Sequence, residues 1–365
     1  MDLKRKSVNF ISSFMVSPLH AVAGAARRYL YKIRLPDRVE RVRSMVRVKP
    51  LVLQVETTNI CNALCVFCAY PSMKRKKGVM SLPLFEKIVQ EYAAMGGGAF
   101  SFTPVVGDAL LDPHLLVRLR LLEQFPAIDQ ISMTTNGIAL ENYADEEVRT
   151  LLSAFSCIQI SIGGLDRECY RSQYGVDRFE AVHKGMERLI RLRVGIDQPA
   201  RLIFAFRTDD WAFPLRSRKV LAGYRRQGVH IGHIWNYDNY SGVVNSLEHP
   251  QIVIKGNAPD KPLPCAYPCI HMAICWDGTI TACGCVDFEG DKLSLGNARN
   301  QTVAEVWSGT QHAGILASFP QGKLLPVCRE CSAYRPDTLF AQPCFEQILP
   351  GKSLPQGFYQ EFWGG

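Results

Sequence analysis

Residues 51–68 read LVLQVETTNICNALCVFC: an apolar run, Leu51 to Val55, then a short polar segment, then Cys61, Cys65 and Cys68. The run reads as a buried strand, bounded by a polar cluster. The three cysteines therefore stand on the loop that leaves it. Thiolates bind iron–sulfur clusters, and a [4Fe–4S] cube usually takes four of them, so a close-spaced set of three leaves one iron open to another ligand. A structural zinc site would want a local fourth Cys or His. The next cysteine, Cys157, lies far downstream.

With its CxxxCxxC spacing and Phe67 before the third cysteine, the chain resembles the radical S-adenosylmethionine (SAM) superfamily. The resemblance implies that the open iron chelates the amino and carboxylate groups of SAM. One electron then cleaves SAM to methionine and a 5′-deoxyadenosyl radical, which takes a hydrogen atom from substrate. The cofactor carries that chemistry, while the protein supplies orientation and excludes water. Phe67 is expected near the adenine, a role compatible with that of a core aromatic.

Outward from this loop, strand-like runs alternate with amphipathic ones. Strands are expected at Leu51 to Glu56, Ala99 to Pro104, Gln130 to Thr134, Ile158 to Ile162, Leu202 to Arg207 and His230 to Trp235. Helices are expected near Leu82 to Met95, Pro113 to Glu123, Ala144 to Ala154, Phe179 to Leu192 and Leu215 to Gln227. Six β/α units in series predict an α/β fold with a parallel sheet and right-handed crossovers. This is similar to the partial (β/α)6 barrel of radical SAM enzymes, whose site lies at the C-terminal strand ends. The expected organisation is a basic helical arm over 1–50, the barrel over 51–240, a small Cys-rich SPASM/twitch domain over 241–345 and a tail over 346–365.

Several strand ends carry candidate SAM contacts. The segment from Val105 to Pro113 resembles the family's Gly-Gly-Glu-Pro-Leu motif, with Val106 for the first Gly, Asp108 for the Glu and Ala109 for the Pro. The resemblance implies Gly107 and Asp108 as receivers of the SAM ammonium. Asp108 also suits a helix N-cap. Asn136 follows the third strand as a ligand candidate, although Asn136-Gly137 is a good turn pair on its own merits. Ser161 ends the fourth strand, where relatives often carry Ser-x-Asp-Gly and this chain has Gly163 in place of the carboxylate. Arg171 is a candidate fork for the SAM carboxylate or a solvated helix residue. Arg207, at the end of the fifth strand, is a substrate-contact candidate, because an Arg inside a barrel mouth is costly unless paired. A surface orientation is the competing reading.

The stretch from Cys265 onward holds eight of the 13 cysteines within 80 residues. Trp276 to Cys283 reads as a hairpin with Asp277-Gly278 as its turn. With Leu295-Gly296-Asn297, Trp307 and the Cys328/Cys331 pair, it resembles the SPASM/twitch extension, in the single-cluster form of 2-deoxy-scyllo-inosamine dehydrogenase-like enzymes. That resemblance implies Cys265, Cys283, Cys328 and Cys331 as ligands of an auxiliary [4Fe–4S] cluster that conducts electrons. Cys269, Cys275, Cys285 and Cys344 are left over. Cys275 or Cys344 is an alternative ligand, any of the four is a candidate buried hydrophobe or hydrogen-atom donor, and a zinc ribbon is an alternative for the whole block.

Clustered CxxC spacing without a secretory signal points to metal in a reducing compartment, so a cytoplasmic location is expected. Residues 8–26 are too short and interrupted to span a membrane. Residues 1–50 hold 12 Lys+Arg against 3 Asp+Glu, whereas the remaining 315 hold 30 against 31. Such an arm suits an anionic surface, nucleic acid or an acidic partner, or simply a solvated helix face. The expected reaction is dehydrogenation or epimerisation of a sugar or aminocyclitol, with the auxiliary cluster as electron acceptor and a flavodoxin- or ferredoxin-type reductant. Modification of a ribosomally made peptide is the main alternative. An iron–sulfur electron-transfer or nucleic-acid-binding protein is the alternative of another class.

Overall fold

A computed structural model describes Ser44 and residues 46–257 and 261–337. The expected basic arm therefore lies outside the described residues except at its end, as do the tail over 346–365 and Cys344. Where the arm ends, the Trp307 indole donates to the Val46 carbonyl at 2.8 Å and Lys49 Nζ to the Gly97 carbonyl at 2.7 Å.

The six expected strands are β1 (Val52–Val55), β2 (Ala99–Ser101), β3 (Gln130–Thr135), β4 (Cys157–Gly163), β5 (Arg201–Arg207) and β6 (His230–Ile234). They pair in parallel, each with the next. Parallel strands covered on both faces read as near-continuous apolar runs, and β4, with only Gln159 partly exposed, shows that pattern.

Between them pack α1 (Leu82–Ala94), α2 (Leu115–Leu122), α3 (Asp145–Ala154), α4 (Arg167–Tyr174), α5 (Phe179–Leu192), α6 (Phe213–Arg216) and α7 (Arg218–Arg226). On α1 the buried residues are Leu84, Phe85, Ile88, Val89 and Tyr92, one stripe of a 3.6-residue period. Two helices depart from expectation. The stretch expected as one helix to Gln227 begins at Phe213 and breaks at Ser217. Helix α4 was not expected, because its only apolar pair is Tyr170 and Tyr174. Asp166 starts it by accepting from the Cys169 amide at 2.7 Å, and Gly175, at φ +68°, ends it.

The Cys-rich segment is not separate from this sheet. After the short parallel pair β7 (Asn236–Tyr237) and β8 (Val253–Ile254), strand β9 (His271–Ile274) joins the free side of β1 in parallel. Strands β10 (Thr279–Thr281) and β11 (Ser294–Asn297) follow antiparallel. The sheet order is β11-β10-β9-β1-β2-β3-β4-β5-β6, open at both edges. The expected hairpin is the β9–β10 pair, with Asp277-Gly278 in its turn. Among the described residues no helix is long and apolar enough to cross a membrane.

Under α1 and α3 a chain of rings, Phe85, Phe100, Phe102 and Phe155, packs with centroids 5.2–5.9 Å apart. Phe102 touches the other three and is fully buried. Phe102→Ala should cost about 3–5 kcal/mol, read as a lowered urea midpoint of anaerobic protein. An unchanged midpoint would mean that these rings are not a shared core.

Candidate functional site

The loop after β1 carries Cys61, Cys65 and Cys68 to the C-terminal rim of the sheet, and neighbouring rim loops hold it there. Gly107, at φ +127°, lets the loop after β2 touch this segment: a Cβ there would lie 2.8 Å from Asn59 Cα. The Asp108 amide donates to the Ile60 carbonyl at 2.8 Å. From α4, the Gln173 and Tyr174 carbonyls accept from the Val66 and Leu64 amides at 3.0 Å. Tyr70 closes the loop on itself. Its hydroxyl accepts from the Cys61 amide at 3.1 Å and donates to the Cys61 carbonyl at 3.2 Å, while its own amide donates to Cys68 Sγ at 3.4 Å.

Burial pushes the Cys61 thiol up to about 12, with the Asp108 carboxylate adding to the effect. Burial also raises Cys65, helped by Cys68 and Cys61, and raises Cys68. Three thiols so placed favour the neutral form until a metal cation binds their sulfurs and displaces the protons to solvent. That is the chemistry of a metal donor set.

The candidate SAM contacts divide. Asn136 reaches the cysteines: its Nδ2 donates to Cys61 Sγ at 3.7 Å and to Asn62 Oδ1 at 2.8 Å. Ser161 Oγ is 2.8 Å from the Tyr174 hydroxyl and accepts from Arg207 Nε at 2.7 Å. The Arg207 guanidinium lies 4.7 Å from the Phe67 ring centroid and 5.8 Å from that of Tyr237. Phe67 itself stacks on Tyr237 at 4.9 Å. Among the described residues Arg207 has no carboxylate partner, and the groups that act on it are tyrosines and Cys65. It points into the mouth, not outward.

Asp108 is buried and its oxygens are engaged within the protein. They accept from Thr135 Oγ1 and the Asn136 amide at 2.8 Å and from the Leu110 amide at 3.0 Å. The carboxylate thus caps the short turn Ala109–Leu111 and orients Asn136. Arg171 is exposed on α4, as its reading as a solvated helix residue expects. Gly163, where relatives carry an acid, is closed off by α4, since a Cβ would lie 2.9 Å from Tyr170 Cα.

The second cysteine set surrounds about 430 Å³ of empty space, part of it open to solvent, lined by Cys265, Cys283, Cys285, Cys328 and Cys331. Cys285 joins the four expected ligands. It shares a hydrogen bond with Cys283, which lowers the Cys283 thiol and raises that of Cys285. Cys269 and Cys275 are buried outside this lining, Cys275 near Glu56 and Arg75. Among the described residues no three His, Cys, Asp or Glu side chains are gathered as a single-ion site.

Sequence reasoning missed the residues that frame both sites. Lys261 Nζ donates to the carbonyls of Cys328, Arg329 and Cys331, each at 2.8 Å, and to Asn257 Oδ1 at 2.7 Å, folding the CxxC turn around one ammonium. Tyr240, at φ +45°, sets its ring edge-on to Phe288 with centroids 6.4 Å apart and lies within electrostatic range of Cys68 and Cys285. Arg75 forks onto Glu56 with two 2.6 Å bonds and also donates to the Phe288 carbonyl at 2.6 Å. No spacing rule marks these residues, because their partners are distant in sequence.

Comparison with known proteins agrees with this geometry. Residues 55–198 match the radical SAM superfamily, and residues 265–332 match an iron–sulfur cluster-binding domain, SPASM. A GTP 3′,8-cyclase of Chlorobaculum tepidum is 30% identical over 156 residues, 43% of this chain and 44% of that protein. The chain thus spans less than half the length of the curated relatives it matches. Among solved structures, BtrN in complex with AdoMet and 2-DOIA superposes with TM-score 0.53 at 16% identity, covering 78% of this chain and 93% of that one. Streptococcus suis SuiB bound to the precursor peptide SuiA gives 0.55 at 14% identity, covering 80% and 73%. At such identities the likeness is one of fold.

Replacing Lys261 by Met leaves three carbonyls of the CxxC turn without their donor. Anaerobically reconstituted K261M should lose iron from the second site while keeping the first. Unchanged iron per chain would show that the turn holds without the ammonium.

Proposed function

We propose, from the match of residues 55–198 to the radical SAM superfamily and of residues 265–332 to the SPASM cluster domain, that the chain is a radical SAM enzyme that oxidises a hydroxyl-bearing carbon of a carbohydrate- or aminocyclitol-type substrate. The observation that carries this reading is that one sheet holds two thiol sites: three cysteines on the loop after β1, and a pocket of five reached through the β9–β10 hairpin and the CxxC turn. Three thiolates leave a coordination position for a bound molecule, whereas four or more close a cluster and suit it to electron transfer.

Bound SAM and the two clusters would supply hydrogen-atom abstraction at one site and an electron acceptor at the other. Cys61, Cys65 and Cys68 would hold the first cluster, with the Asn136 amide directed at the Cys61 sulfur, a contact of the kind that tunes cluster potential. Cys265, Cys283, Cys328 and Cys331 would hold the second. Arg207 is suited to an anionic or hydroxyl group of the bound molecules, because a buried guanidinium without a carboxylate is costly. Ser161 and Tyr174 fix its direction, and Phe67 with Tyr237 forms an apolar wall that keeps water from the mouth. Cys285, beside the second site, is one candidate thiol to return hydrogen if the outcome is epimerisation. A flavodoxin- or ferredoxin-type protein would deliver the first electron.

Cysteine replacements test the assignment. With Cys61, Cys65 and Cys68 changed to Ala, reductive cleavage of SAM should cease; continued release of 5′-deoxyadenosine would sink the first site. With Cys328 and Cys331 changed to Ala, cleavage should persist in part while oxidised product disappears. Incubation of reconstituted enzyme with candidate sugars and with small peptides, followed by mass spectrometry, identifies the substrate class. A peptide product would replace the carbohydrate reading, and absence of SAM cleavage by the intact reduced protein would leave an electron-transfer or binding role.

A further inference from the structure

The end of the sheet at β6 carries a charge and an exposure that the reaction does not use. Residues 188–235 hold ten Lys and Arg against three Asp, and although Arg207 belongs to the mouth and Arg188 and Arg191 pair with Asp145, the rest exceed the near-neutral balance of the chain from residue 51 onward. Arg216 pairs with Asp210, but Arg218, Lys219, Arg225 and Arg226 on α7 are exposed, with no ion pair among the described residues. The same stretch holds five of the ten exposed large hydrophobic side chains among the described residues: Val194 at 76%, Trp211 at 66%, Leu215 at 73%, Val220 at 49% and Trp235 at 38%. Trp211, Leu215, Val220 and these four cations lie on α6, α7 and the turn before them, at the β6 end of the sheet. Arg193 donates to the Gly228 carbonyl at 3.0 Å, joining the end of α5 to the end of α7, and the Phe213 ring lies 5.4 Å from His233 on β6.

We propose that this edge, α6 and α7 over β6, docks on the surface of an anionic lipid bilayer. Cations attract acidic headgroups within a Debye length, and Trp with aliphatic side chains inserts at the boundary of headgroup and acyl chain. Nucleic acid would use the cations and stack on Trp211, but Val194, Leu215 and Val220 have no face on which a base stacks. The apolar share of the edge therefore favours lipid.

The test is co-sedimentation of the full, cluster-loaded chain with vesicles of phosphatidylcholine, with and without phosphatidylglycerol. Binding should require phosphatidylglycerol and weaken with salt. The exposed-site variants R218E/K219E and W211S/L215S should each lower partitioning about tenfold or more, with unchanged circular dichroism and unchanged SAM cleavage. Failure to bind acidic vesicles at low salt overturns the proposal. So does binding by both variants equal to the parent, which would move it to the basic N-terminal segment. Stronger retention of a polyribonucleotide than of vesicles, lost in R218E/K219E but kept in W211S/L215S, would mark the edge as a nucleic-acid surface instead.

Discussion

Strand β1 hydrogen-bonds parallel partners on both sides, β2 on one and β9 on the other, and this double pairing fixes where both sets of cysteines stand. The loop leaving β1 carries Cys61, Cys65 and Cys68. The hairpin built on β9 leads through β10 to Cys283 and Cys285. The β9–β10 turn lies at the rim where β1 ends, and β10 then runs back antiparallel beside β9, so Cys283 and Cys285 follow its far end. The position of the second site is therefore set by strand register, not by a linker between independent bodies.

A buried ion pair adds to this arrangement. Glu56 follows β1 and is fully buried, and burial pushes its carboxyl up against the pull of Arg75. Arg75 lies on the segment returning from the cysteine loop, whose Lys74 and Arg75 amides donate to the Glu289 carboxylate at 2.7 and 3.0 Å. The Trp276 indole donates to the Lys76 carbonyl at 3.1 Å. These contacts bind the first loop to the second cysteine segment. Removing one partner of such a pair leaves an uncompensated buried charge, worth about 3–5 kcal/mol, so the pair restricts how the two segments can sit relative to each other.

Charge inside the mouth is unequally satisfied. Asp108 has hydrogen-bond donors for both oxygens and serves the scaffold, whereas Arg207 has aromatic faces, one serine and the cysteine sulfurs. The motif residue expected to meet a ligand is thus spent on orienting Asn136. The strand-end arginine retains the unbalanced charge that a ligand can neutralise.

Much of this was legible in the chain itself. Apolar periodicity marked the six strands β1 to β6 and most helices, because buried strands and amphipathic helices must show it, and the close spacing of Cys61, Cys65 and Cys68 marked the first thiol set, because residues on one loop carry their geometry in sequence. Tertiary structure alone decided the rest. The continuation of the sheet through β9 depends on a pairing more than 200 residues apart in sequence; the turn of Arg207 inward and Arg171 outward, the fifth thiol of Cys285, and the placement of Tyr240 and Lys261 each depend on which side chains meet across the fold. Local propensity encodes which element a residue enters, but not what faces it once the elements pack.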